Sequence, residues 1–286
     1  MFKHAWVETA VCDDPCDRGL PLRPLQNLLD EAVDRWPARP AIEFMGKLIS
    51  YRELGALVDH AATGLQQLGV APGVRVALHL PITPHVAIAF FAVLKAGGTL
   101  VDCSGLKGEP ALCRALDASR CEMLITLAAP GWYEPIRRPL HTTRLKTVIV
   151  GTLAQFAAQP DALIAAQHRN GEHVDMPVDG RHVRFGHLLR NDGRHRVHSL
   201  GRLDEAVALL RCVGSDSEAL THAALSTVCR QRVDATRRAE AVLCGGDADM
   251  RVALPLTNAR TLIADMLLCV QLGALQLLAA AATDWC

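Results

Sequence analysis

Three stretches of the 286-residue chain hold the residue types that do chemistry. The first is Arg211-Cys-Val-Gly-Ser-Asp-Ser-Glu-Ala219, which follows the apolar run Val207-Ala-Leu-Leu and precedes Leu220-Thr221-His222. Glycine and serine could offer backbone N–H groups and hydroxyls to an anion, but the stretch has no lysine and adds the carboxylates of Asp216 and Glu218. Each carboxylate facing a polyanion opposes it by about 1 kcal/mol even in a screened setting. The residues by themselves fit a polar turn in which Ser217 or Asp216 caps the next helix. The second stretch is rich in arginine and holds His168, His173, His182, His187, His195 and His198. His195 and His198 are its closest pair, with no acidic or cysteine partner at a regular offset, and Phe185 is its only aromatic residue; metal binding and base stacking are both disfavoured. It reads as a solvated connection. The third is Cys12 and Cys16, a close pair without the second pair that a zinc site needs.

Composition narrows the class. Half of the residues are hydrophobic, enough for a substantial core, and 30 acids balance 30 bases. No global field therefore favours nucleic acid or anionic lipid, and no nucleic-acid partner is expected. The last lysine is Lys146. Cysteines such as Cys103, Cys113, Cys121, Cys212 and Cys269 sit singly in apolar runs and are expected to be reduced core residues. The N-terminus carries acids and no long apolar stretch, unlike a secretory signal, so a cytoplasmic location is expected. Leu262 to Ala282 is long enough to raise a membrane span, but Asp265, Gln271, Gly273 and Gln276 break it into helix, turn and strand.

The elements that must position these residues alternate between strand and helix. Val74 to Leu80 alternates as a strand, His85 to Ala96 is apolar all round up to Gly97-Gly98, and Leu100-Val101 resumes as a strand. That is a buried helix between parallel strands, a right-handed βαβ unit. Upstream, Leu25 to Trp36 reads as an amphipathic helix, Ala41–Phe44 and Lys47–Ser50 as a hairpin around Met45-Gly46, and Ser50 with Glu53 as a capping box. Downstream, Pro110 to Ser119 is a helix, and Glu122 to Thr126 and Lys146 to Val150 are strands. Ala206 to Leu210 is a buried strand, Thr261 to Val270 a helix, and Leu275 to Ala282 a last strand whose apolar edge lacks cover. The fold class is α/β, with open, mainly parallel sheets flanked by helices. The division is a lead-in over 1–20, a first α/β subdomain over 21–158, an irregular Arg/His-rich connection over 159–203, and the start of a second α/β subdomain over 204–286.

The wording of several segments carries a resemblance. Leu25-Gln-Asn-Leu-Leu, Arg39-Pro-Ala-Ile, Ile49-Ser-Tyr-Arg-Glu-Leu, Gly64-Leu-Gln-Gln-Leu-Gly-Val, Pro72-Gly-Val-Arg-Val-Ala-Leu and the unit from Val74 to Ser104 follow in order over Leu25 to Thr126. Together they resemble the N-terminal portion of the AMP-binding, adenylate-forming synthetases, most closely long-chain fatty acyl-CoA ligases. The resemblance implies a partial N-terminal domain of that family. Its enzymes join a carboxylate to ATP and pass the acyl group to a thiol, so fatty acid, ATP, Mg2+ and coenzyme A would be the ligands if the activity were kept.

The resemblance also says where the site belongs. After the strand Val207-Ala-Leu-Leu the family carries a Ser/Thr/Gly-rich loop with a lysine, then Leu-Thr-His; here Gly214, Ser215, Ser217 and Thr221 stand at those places as vestigial nucleotide-binding residues, in a loop about five residues shorter. Where family members of this type carry Leu-Pro-Leu-Tyr-His, this chain has Leu254-Pro255-Leu256-Thr257-Asn258, so Thr257 and Asn258 are vestigial substrate-pocket residues. The sequence ends at Cys286, before the family's later adenine, magnesium and catalytic-lysine motifs. The expectation is a truncated, non-catalytic homologue with no catalytic residue and no metal site, carrying a fatty acyl ligand or a protein partner on the C-terminal apolar edge. The alternative is one half of an acyl-CoA ligase completed by a second polypeptide.

Overall fold

The computed structural model describes residues 23–106, 108–137, 139–200, 202–204, 207–213, 216–243, 251–253 and 259–278. Helix α1 (Leu25–Arg35) buries Leu25, Leu28, Leu29 and Ala32, one face of a 3.6-residue period. Strands β1 (Pro40–Phe44) and β2 (Lys47–Ser50) pair antiparallel. Met45 and Gly46 between them both have positive φ, as a type I′ turn requires. Ser50 then opens α2 (Tyr51–Gln67) with the expected reciprocal cap: its Oγ accepts from Glu53 N, and its own N–H donates to a Glu53 carboxylate oxygen at 2.8 Å.

The βαβ unit follows. β3 (Arg75–His79) and β4 (Thr99–Asp102) are parallel, and every residue of the intervening α3 (Pro84–Lys95) is buried. Lys95 is the only charge on that helix. Burial alone pushes its ammonium down, but Asp30 of α1 and Asp59 of α2, the latter at 2.7 Å, outweigh that and hold it above its ordinary value. One side chain thus fastens three helices.

The chain continues through α4 (Glu109–Ala118), β5 (Met123–Leu127), α5 (Pro130–Tyr133), α6 (Pro139–Thr142), β6 (Thr147–Gly151), α7 (Pro160–Arg169), β7 (His182–Arg184) and α8 (Phe185–Leu188). After these come β8 (Val207–Val213), β9 (Asp216–Thr221), α9 (His222–Leu243), β10 (Arg251–Ala253), α10 (Ala259–Leu272) and β11 (Leu275–Leu278). One sheet has seven strands in the order β7-β6-β5-β3-β4-β8-β9, parallel except for β9. The other has four in the order β10-β11-β1-β2, parallel except for β2. Cys103, Cys121, Cys229 and Cys269 are buried and form no disulfide among the described residues. No helix among the described residues is long and apolar enough to cross a membrane.

Four expectations change. The connection after 159 is not wholly solvated: β7 joins the large sheet beside β6, and Phe185 and Leu188 are buried. The absent side chain of Gly64 makes room, since a Cβ there would lie 2.6 Å from the Leu188 backbone. The segment Asp216–Thr221 is a strand rather than a polar turn, because its backbone groups pair with β8. β11 is not an uncovered edge; it lies between β10 and β1, so no partner is needed to cover Leu275–Leu278. Finally, the sheets do not separate at residue 204: β8 and β9 complete the large sheet, while β1 and β2 complete the small one.

The small sheet closes by side chains as well as by pairing. Ile42, Glu43 and Phe44 are in register with Gln276, Leu277 and Leu278. The Tyr51 hydroxyl lies 3.0 Å from the Cys269 carbonyl and 2.8 Å from that of Ala274, sharing one proton between two buried acceptors. Gly273, at φ 64, lies flat against Trp36, where a Cβ would be 2.5 Å from the indole. The Cys269 carbonyl also accepts the Ala274 N–H at 2.9 Å, so Tyr51→Phe should lower the unfolding free energy by about 1 kcal/mol, the net worth of the lost hydroxyl bond. Urea denaturation reads this directly; a midpoint and slope equal to those of the unaltered chain would show that the hydroxyl is not a structural tie.

Candidate functional site

The large sheet reverses its direction of growth at β3. From β3 the chain lays β4 on one side, then returns to lay β5 on the other. In open parallel sheets such a switch leaves a crevice at the carboxyl ends of the two strands, where ligands bind. Here the crevice lies between β3 and β5, at the register pair His79 and Thr126.

His79 is polar, at the end of an apolar strand, and 2% exposed. Its Nδ1 donates to the Cys103 carbonyl at 3.1 Å, which leaves Nε2 as a bare lone pair. That atom is buried and has no partner among the described residues. Burial pushes the imidazole below its ordinary range, despite the bond to Cys103, so the ring is neutral near pH 7. An unsatisfied buried acceptor costs about 1–3 kcal/mol, and a ligand N–H or O–H at this point would recover it. Trp132 covers the ring, with centroids 4.9 Å apart, and Thr126 Oγ1 donates to the Trp132 carbonyl at 3.1 Å. On the β4 side, a carboxylate oxygen of Asp102 accepts from Ser104 N at 3.0 Å. The arrangement can accept a hydrogen bond or a proton. Among the described residues, no three His, Cys, Asp or Glu side chains converge on a metal position.

Of the sequence-derived site residues, Ser217 and Thr221 are among the described residues. Gly214, Ser215, Thr257 and Asn258 lie outside the described residues. Ser217 is on β9, in register with Cys212 near the carboxyl end of β8. Thr221 pairs with Val207 at the opposite end, five residues along an extended strand from Asp216 and so roughly 17 Å from the connection at 214–215. Its Oγ1 accepts from Ala224 N at 3.1 Å, capping α9 in the role assigned to Ser217 or Asp216. His222 is engaged too: its Nδ1 accepts the N–H of Leu25 at 3.2 Å, an orphan donor at the start of α1. The Thr-His pair therefore docks one helix onto another. His79 and Trp132 escaped the sequence reading, although a histidine closing an otherwise apolar strand just before Pro81 was a usable signal.

Comparison with known proteins agrees with this architecture. A model of the AMP-binding enzyme family matches residues 29–195. A long-chain-fatty-acid–CoA ligase of Bacillus subtilis is 33% identical over 122 residues, covering 43% of this chain and 22% of that protein. A salicyl-AMP ligase/salicyl-S-ArCP synthetase of Mycobacterium tuberculosis is 34% identical over 148 residues, covering 48% and 26%. Among solved structures, a long-chain-fatty-acid–CoA ligase from Archaeoglobus fulgidus superimposes with a TM-score of 0.67 at 18% identity, covering 90% of this chain and 47% of that one. Coronafacic acid ligase from Pectobacterium brasiliense gives 0.69 at 14%, covering 92% and 46%. The chain thus spans about a quarter of these curated relatives and about half of these structures.

Burial holds both His222 and His85 down at about 4, against 6.5 for a free imidazole. A folded-state value below the unfolded one means that the neutral ring supports the fold. That support is complete above pH 6.5 and is lost as the pH falls from 6.5 through about 4. For the fully buried His85 it amounts to about 3 kcal/mol. Urea denaturation at a series of pH values should show falling stability across this window. His222→Gln, which can still accept the Leu25 N–H, should flatten the slope; an unchanged slope would mean that His222 is not among the groups responsible.

Proposed function

The chain belongs to the AMP-binding enzyme family, whose model matches more than half of its residues, and on that premise we propose that it keeps the family scaffold as a ligand-binding protein without activating an acid with ATP. The observation that carries this reading is the passage from β8 to β9. Val213 pairs with Asp216, so only residues 214 and 215 connect two strands whose ladder continues to Thr221. A triphosphate needs a run of inward-pointing N–H groups and a cation. Two residues offer little of that run, and the segment contributes Asp216 and Glu218 instead of a lysine.

Support for a ligand comes from elsewhere. The crevice at His79 keeps a buried acceptor in need of a donor, and Trp132 above it supplies apolar surface. A curated relative is named for long-chain fatty acids, which makes a fatty acyl compound the first class to try.

The test is an ATP–pyrophosphate exchange assay across short, medium and long fatty acids, together with calorimetric titration of ATP with Mg2+. The expected outcome is no acid-dependent exchange and no saturable nucleotide binding at millimolar concentrations. Micromolar nucleotide affinity would overturn the reading. Exchange that appears only when a second polypeptide is added would replace it with a two-chain ligase.

A further inference from the structure

At the β7 side of the large sheet, Tyr133, the turn holding Ile136 and Arg137, the start of α6 and residues 177–182 line an open pocket of about 540 Å³. Small-molecule pockets range over roughly 300–1,000 Å³, so an ordinary metabolite would fit. None of its lining residues belongs to the crevice at His79.

One wall is built in advance. Asp179 accepts three N–H groups: the backbone of Arg181 at 2.8 Å, the backbone of His182 at 2.9 Å, and His182 Nδ1 at 2.8 Å. With its Nδ1 proton directed at the carboxylate, His182 accepts the Tyr133 hydroxyl on Nε2 at 2.9 Å. Both rings are almost wholly covered, the His182 side chain and Tyr133 each being 2% exposed. The relay fixes the Tyr133 ring as a rigid face, which reduces the ordering cost for whatever packs on it.

The charge lies elsewhere. Arg181 reaches the carbonyls of Leu140 and Leu145 through Nη2, and both partners are neutral, so no carboxylate among the described residues offsets its guanidinium. Arg137, also on the lining, pairs with Glu134 at 3.1 Å, but both side chains are more than half exposed and such pairs are worth about 0–1 kcal/mol. A ligand anion can displace that partner. Asp179 carries the one negative charge of the lining, and it is already met by its three donors. Ile136, Leu140 and Pro177 supply the apolar remainder.

We propose that this cavity binds an organic monocarboxylate, with the carboxylate on Arg181 and Arg137 and the hydrocarbon against Tyr133, Ile136 and Leu140. Two guanidinium groups against one carboxylate leave a single positive charge, which suits a monoanion better than a multiply charged phosphate. The planar fork of arginine matches a carboxylate in geometry as well as charge.

Hexanoate, hexanol and hexylamine are the probes, titrated into the full chain and followed by calorimetry and by amide NMR. Hexanoate should bind saturably, with shifts centred on residues 133–141 and 177–182, and the two controls should bind at least about tenfold more weakly. Arg181→Gln removes a structural bond to α6 and could unfold that edge. Arg137→Gln sits on an exposed pair and leaves the fold intact, so it carries the test: hexanoate should weaken by about tenfold. Equal binding of hexanoate and hexanol, undiminished binding to Arg137→Gln, shifts centred on His79 instead, or no binding at all would each overturn the proposal. Shifts centred on His79 would still leave the ligand reading of the crevice standing.

Discussion

The parallel pairing of β1 with β11 is the constraint on which the rest of the structure depends. It joins residues 42–44 to residues 276–278 and leaves β2 and β10 as the rims of the small sheet. A hairpin alone is marginal in water. β1 and β2 are held because β11 supplies a third strand, Tyr51 ties α2 to the end of α10, and Trp36 lies flat on Gly273. From there the order passes inward through Lys95, whose ammonium links α3 to α1 and α2. The wholly buried α3 can then serve as the shared wall on which the large sheet is laid.

This interlocking gives residues that the sequence suggested for chemistry a structural task. Leu220-Thr221-His222 sits where β9 becomes α9; the threonine caps that helix and the histidine accepts the first N–H of α1. Replacing the histidine would strand a buried backbone donor, and replacing the threonine would uncap a helix at the surface. Both contacts stand without any nucleotide. The side chains arranged to meet a ligand lie elsewhere: His79 with Trp132 at the sheet crevice, and Tyr133 with His182 and Arg181 beyond it.

Much of the architecture was legible because its signals are local. Ser50 and Glu53 announce a reciprocal cap within four residues, Met45-Gly46 announces a turn, and an apolar run closed by Gly97 announces a buried helix. What escaped was set by distance. β7 has three residues, too few to establish an alternating period, and it is a strand only because β6 is its neighbour. β9 reads as a polar turn until β8 is placed beside it. Strand order is invisible in the sequence, so β11 looked like a rim when it is an interior strand. Thr221 is likewise near Ser217 along the chain, yet it pairs with Val207 while Ser217 pairs with Cys212 toward the other end of the ladder.

The separation between β1 and its partner also fixes a timetable for synthesis. More than 230 residues lie between Ile42 and Gln276. At roughly 5–20 residues per second, a ribosome needs about 10–50 s to cover that distance. Throughout the interval the hairpin is made but its inner rim is open, an invitation to another nascent chain. Until β11 emerges, protection of that open rim depends on something other than the finished sheet.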